Sequence, residues 1–367
     1  MAPRAARTLR AMAAAAAPPA RSHAPWWASL VCFTPTAALD GLGDEVAFSS
    51  RRIAARRALE TEVPNSLAVD PLARALAGKR ALAIARATAA KPRPGAVRPP
   101  VDRIAVRTRW FDDNVIMALR GDLMAVRVSL RAAGDGIELA LAPAQPLDAT
   151  PPASVILAGA GMDARAWRLP LPPGTAWVEV DGEAVLRVKQ RDLAAARAAT
   201  AAASTGQPRF PLKASSIAFV AADLAAPGWA AAAREALPPA ACGQPTVVVA
   251  EGLLMYLGPA GAPAFLKEAA SFSPPGSVLL AVSVTAATAA AARERARGSG
   301  LMAAWTFGCD PDPRPLFLDA GWRVVGVDTR SEMARSLPAG YEFEFPVRPL
   351  AAPRPARESL FIVAVRE

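Results

Sequence analysis

Histidine is almost missing from this chain. Its single copy, His23, lies near the N-terminus, so Ser-His-Asp and Cys-His nucleophile systems and histidine-ligated metal centres each lack a part. Whatever chemistry the chain performs is expected to run without imidazole. Cysteine is scarce too: Cys32, Cys242 and Cys309 are far apart and odd in number, which fits neither a disulfide framework nor a CxxC metal or redox site. The thiols read as reduced and structural. No run of about 20 strongly apolar residues occurs, so no membrane-spanning helix is expected. Aromatics make up 6% of the residues, and alanine supplies much of the 53% hydrophobic fraction, so that figure overstates the core.

Lysine is rare as well. Of the 42 basic residues 37 are arginine, a bias that, with 36 prolines, looks compositional as much as functional. A formal charge of +10 ordinarily raises nucleic-acid or membrane-surface binding. Here Arg4, Arg7, Arg10 and Arg21 precede the first carboxylate, Asp40, and no basic cluster is interleaved with aromatics. The pairs Arg51-Arg52 and Arg56-Arg57 read as a solvated helix face, and no nucleic-acid partner is expected. Residues 1–28 are rich in arginine and alanine and carry no carboxylate, the composition of an organellar transit peptide. As such a leader they imply a chloroplast or mitochondrial location; otherwise the expectation is cytoplasmic.

At 367 residues the chain has room for one large domain with additions. Residues 40–131 carry helical patterning, interrupted by KPRPGAVRPP at 91–100, where proline cannot continue a helix. This helical region is expected to contribute to a pocket. Residues 132–154, rich in Gly, Ala and Pro, read as an irregular insertion. The core, 155–367, alternates β-type apolar runs with stretches suited to helices: 155–157, 176–180, 217–222, 246–250 and 278–284, then a late pair at 322–328 and 359–367. The pattern predicts an α/β fold with a seven-stranded, mostly parallel sheet covered by helices on both faces.

The first of these strands, in VILAGAGMDARAWR (155–168), runs into Gly159 and Gly161. Glycine lets the backbone turn sharply and lets a ligand approach the main chain, while a following helix offers free N–H groups. Carboxylates follow at the ends of the next strands, where open α/β sheets bind ligands: Asp181, about 20 residues on, then Asp223 with Leu224, then Glu251. Each alone also suits a helix cap. G-x-G-x-x-A matches a dinucleotide fingerprint, yet Asp163 would face the pyrophosphate with its own negative charge. A cofactor with a positive centre and an amino-acid end suits the site better, which favours S-adenosylmethionine over NAD.

With RTRWFDD (107–113), LAGAGMDARAWRL (157–169), WVEVD (177–181), AADL (221–224) and VVAEGLLMYL (248–257) in this order, the chain resembles the leucine carboxyl methyltransferase-like family over roughly residues 46–367. The resemblance implies a class I, Rossmann-like methyltransferase fold and S-adenosylmethionine as cofactor. It places Arg107 on the cofactor's carboxylate, Gly159 and Gly161 beneath its methionine portion, and Asp163 near its amino group or behind it. Asp181 would hold the ribose, Asp223 and Leu224 the adenine, and Glu251 the amino-group side. Tyr256 is the candidate on the substrate side, with core packing as its alternative. Arg165 and Lys189 read as structural. The family leaves the extra residues at 120–154 to remodel the substrate entrance.

The expected activity is O-methylation of a small-molecule hydroxyl or carboxyl, the latter needing no general base. Methylation of a protein's C-terminal carboxyl, a NAD-dependent oxidoreductase and a cofactor-binding protein without catalysis are the alternatives.

Overall fold

The computed structural model describes residues 41–91, 94, 96–125, 128–133, 136–141, 145–146, 150–202, 210–298, 300–349 and 356–367. The leader, His23 and Cys32 lie outside the described residues. Three helices come first: α1 (Glu45–Thr61), α2 (Ala73–Thr88) and α3 (Arg103–Arg120). Asp44 caps α1 by accepting from the Ala47 N–H at 2.7 Å, and Asp102 caps α3 by accepting from Ile104. Gly121, at φ 74°, ends α3 in the left-handed region that glycine enters without penalty.

The helical reading, which ran on to residue 131, therefore stops short. After Gly121 the chain turns to strands, and Val128–Ala133 pairs antiparallel with Gly136–Leu141. Residues 132–154, expected to be irregular, thus hold most of a hairpin. Alternation of apolar residues at Val128 and Leu130, then at Ile137, Leu139 and Leu141, carries that signal, which the surrounding Gly, Ala and Pro obscure.

The main sheet is built from β1 (Ser154–Ala158), β2 (Ala176–Asp181), β3 (Ser216–Ala221), β4 (Thr246–Ala250), β5 (Val278–Val284), β6 (Arg323–Asp328) and β7 (Ser359–Val365). Its order is β6-β7-β5-β4-β1-β2-β3, parallel except for β7, which runs antiparallel to both neighbours. Both faces are buried. Val155 and Leu157 pack with Phe48 and Phe111 on the side of α1 and α3, while Ile156 and Ala158 pack with Trp229 and Phe265 on the other. That two-residue period explains why the strands read as nearly continuous apolar runs. After β1 the chain winds toward β2 and β3, then returns to lay β4 on the other side of β1. Such a switch point opens a crevice at the carboxyl ends of the strands.

Candidate active site

A cavity of about 590 Å³ occupies that crevice, within the roughly 300–1,000 Å³ of small-molecule sites. Its sheet side is made by Gly159, Gly161, Asp181, Glu251 and Val284, and its opposite wall by Ser49, Ser50 and Ile53 of α1 with Arg103 and Arg107 of α3. The N-terminal helices are thus half of the site.

The glycine turn follows β1 with Gly159 at φ 71° and Gly161 at φ 45°. A Cβ on Gly161 would stand 2.9 Å from the Cβ of Ser50, so α1 packs against the turn only because no side chain is there. The Gly161 N–H donates to one Asp181 oxygen at 2.7 Å, and the Gly182 N–H to the other at 2.7 Å. Burial pushes the Asp181 carboxyl up, and these two amide bonds pull it back.

Beneath the cavity four arginines meet four carboxylates. Arg165, 1% exposed, donates from Nε to Asp112 at 2.7 Å and from Nη1 to both Asp163 and Glu251, the latter at 2.7 Å. Arg168 forks onto Asp112 at 2.6 Å with each terminal nitrogen. Arg107 holds the second Glu251 oxygen at 2.7 Å, and Arg57 bonds Asp70 at 2.8 Å and the Met162 carbonyl. Planar guanidinium forks suit such multiple engagement. Burial works against the Asp163 charge, but Arg165, then Arg57, Lys189 and Arg168, hold its carboxyl down to about 2. Burial likewise opposes ionisation of Glu251, and Arg165 and Arg107 outweigh it.

The structure brings Arg107, Gly159, Gly161, Asp163, Asp181, Glu251 and Tyr256 to this one cavity. Asp163 is the residue behind: the Arg165 N–H at 2.6 Å and the Arg165 guanidinium take up its two oxygens. Burial pushes the Tyr256 phenol up, with Trp305, Arg107 and Ser49 pulling the other way. Asp223 and Leu224 are not brought in. Asp223 folds back to accept from the Ala225 N–H at 2.9 Å, and Leu224 is buried among Val180 and Trp229. An acid just past a strand end was equally able to serve a turn. Arg51, Arg52 and Arg57, expected on a solvated face, are 1%, 6% and 6% exposed. Asp70, Asp112, Arg57 and Arg168 are the members that sequence reasoning missed, although Asp112 sits inside the RTRWFDD segment.

Lys189 is structural as expected, and its partner is Glu179, 2.6 Å away with both side chains 0% exposed. Burial pushes the Glu179 carboxyl up to about 7, against the pull of Lys189. A carboxyl whose folded pKa exceeds its unfolded value keeps a proton that the unfolded chain releases. Between the ordinary carboxylate range and about 7, rising pH therefore favours unfolding through this group. Urea titrations at about pH 5 and about pH 7.5 are expected to show a smaller loss of stability with pH in Glu179→Gln than in the wild type. Identical pH slopes would refute this role.

A family model for leucine carboxyl methyltransferase matches residues 50–135 and 147–270. This chain belongs to the leucine carboxyl methyltransferase family. A protein of Mycobacterium ulcerans (strain Agy99), provisionally named an S-adenosyl-L-methionine-dependent methyltransferase, is 30% identical over 313 residues, covering 77% of this chain and 82% of that one. A Mycobacterium marinum protein of the same name is 32% identical over 255 residues, and the chain spans 64% of its length. Among solved structures, a DUF574 family protein from Streptomyces avermitilis aligns with a TM-score of 0.47 at 14% identity, covering 90% of this chain and 100% of that one.

The enzyme is thus an S-adenosylmethionine-dependent methyltransferase, and the nicotinamide and non-catalytic readings fall away. Its cavity fits that cofactor. The Arg107 Nη1 and Nη2 atoms make no hydrogen bond among the described residues although Arg107 lines the cavity, which leaves a two-pronged donor for a carboxylate. The glycine turn lines the cavity, and Asp181 stands beside it.

Proposed function

We propose that this methyltransferase acts on an oxygen, hydroxyl or carboxyl, of a small molecule. The observation that carries the reading is the cavity's far wall. Met255, Val284, Leu301, Trp305 and Phe361 line it with apolar surface, enclosed between sheet and helices. Such a room suits a compact acceptor with an apolar body.

In this reading Arg107 holds the cofactor's carboxylate, Gly159 and Gly161 underlie its methionine portion, Asp181 binds the ribose, and Glu251 faces the amino-group side while fixing Arg107. Bound S-adenosylmethionine supplies an electrophilic methyl group on a sulfonium. The chain's own task is alignment and exclusion of water. A carboxylate nucleophile asks for no base. For a hydroxyl, Tyr256 is the phenol on the wall, and its raised pKa keeps its proton available for a hydrogen bond to the acceptor.

Incubating the enzyme and methyl-labelled cofactor with a metabolite extract, and separately with a protein extract, tests this. A labelled small molecule is expected. Label confined to protein C-termini would transfer the assignment to protein carboxyl methylation.

A further inference from the structure

β2 ends in two acids that are held very differently. Trp177, Glu179 and Asp181 alternate onto one face of the strand, the side on which Trp177 joins Phe48 of α1 and Phe111 of α3. Glu179 and Asp181 thus stand about 6–7 Å apart on that face, at ~3.3 Å per residue. Asp181 lines the cavity, and its oxygens accept from the Gly161 and Gly182 N–H groups. Glu179 is sealed from solvent and meets Lys189 alone: beyond that 2.6 Å contact neither oxygen has a hydrogen-bond partner among the described residues.

Local structure brings Lys189 to this place. The helix Glu183–Ala202 starts directly after Asp181 and Gly182. Lys189 lies about 9 Å along its axis from Glu183, and long helical side chains lean toward the N-terminus, so the ammonium returns to the strand end. A buried carboxylate facing one cation and no amide is a costly form. Burial pushes the Glu179 carboxyl up to about 7 against the pull of Lys189, with Asp163 and Asp181 adding to the push. Below that pH Glu179 is neutral and leaves the Lys189 charge uncancelled. Asp181 feels that charge: burial raises its carboxyl, the two amides and then Lys189 draw it down, and Asp44 ahead of α1 opposes them. Asp163 feels it too, but Arg165 and Arg57 act on it more strongly.

We propose that Lys189 is a positioning residue of the cofactor site: its buried charge acts through Asp181 and keeps both oxygens of that carboxylate open to the ribose hydroxyls. An ionised carboxyl offers about four acceptor positions. Gly161 and Gly182 take one on each oxygen, which leaves one on each for the two hydroxyls of a ribose, and a proton on the carboxyl would block one of them. Glu179 holds the ammonium in place without cancelling it. This role for Lys189 rests on Asp181 binding the ribose, as proposed above.

The test is the pH profile of methylthioadenosine binding, a ligand that keeps the ribose and lacks the amino-acid end. Calorimetric titrations of the full chain run from about pH 4.5 to 8, over the range in which tryptophan fluorescence shows each variant folded. The wild type is expected to lose affinity on the acid side, and Lys189→Met to lose it at a pH higher by about half a unit or more, because Asp181 then takes up its proton sooner. Glu179→Gln keeps a neutral partner for the ammonium and is expected to leave that edge in place. Glu179→Leu combined with Lys189→Met substitutes an apolar pair, a change that buried ion pairs tolerate, and is expected to move the edge as Lys189→Met does. An edge unmoved in both Lys189 variants, or moved as far in Glu179→Gln, overturns the role of Lys189. Asp181→Asn is expected to weaken binding by about 10-fold or more. Unchanged affinity in Asp181→Asn would instead remove Asp181 from the ribose, which tells the two failures apart.

Discussion

Arg165→Met is expected to cost about 3–5 kcal/mol of unfolding free energy, the penalty for removing one partner from a buried ion pair. The side chain is 1% exposed and engages Asp112, Asp163 and Glu251, so its loss leaves carboxylates in low-dielectric surroundings. Arg168 and Arg107 retain hold of Asp112 and Glu251, but Asp163 loses its only guanidinium partner among the described residues. Arg165→Lys keeps the charge and gives up the fork, and is expected to recover only part of the loss. Urea unfolding followed by tryptophan fluorescence reads both. A loss under about 1 kcal/mol for Arg165→Met would sink the claim that this residue organises the site.

Arg107→Ala is expected to weaken S-adenosylhomocysteine binding by about 10- to 100-fold, in line with the roughly 1.5–3 kcal/mol of a hydrogen bond to a charged group. Stability should fall far less than in Arg165→Met, because Glu251 keeps its bond to Arg165. Methylthioadenosine, which lacks the amino-acid end, provides the control. Its affinity is expected to be the same in the wild type and the variant, and a parallel loss for both ligands would mean that Arg107 shapes the cavity without contacting a carboxylate.

The strands were legible because the central ones are buried on both faces and each reads as an apolar run at its own spacing, with only the edge strands β3 and β6 half-buried; β1 to β7 fall where the sequence places them. Gly159, Gly161, Asp181 and Glu251 were legible because strand ends with a glycine turn and acids have a local signature. What escaped is what depends on distance along the chain. Arg165 meets Asp112 across 53 positions and Glu251 across 86, and no local period marks such partners. An arginine-rich composition hid the point further: Arg51, Arg57 and Arg165 look like background in sequence and are buried in the structure. Asp223 is the converse case, a local signature that in the structure serves its own turn and stands outside the cavity lining. The hairpin after α3 was lost because Gly, Ala and Pro dilute its alternation.

The walls of the cavity are made at different times. Arg107 leaves the ribosome 144 residues before Glu251, roughly 7–30 s earlier at about 5–20 residues per second. Trp110 waits longer still, 218 residues, for Asp328. During that interval α1 and α3 hold arginines that cannot enter a dry interior without their acids, so the helices must stay hydrated until the later strands arrive. Nascent chains of this protein are therefore expected to expose the apolar faces of α1 and α3 through most of their synthesis, and to need protection from aggregation there until the last strands have emerged.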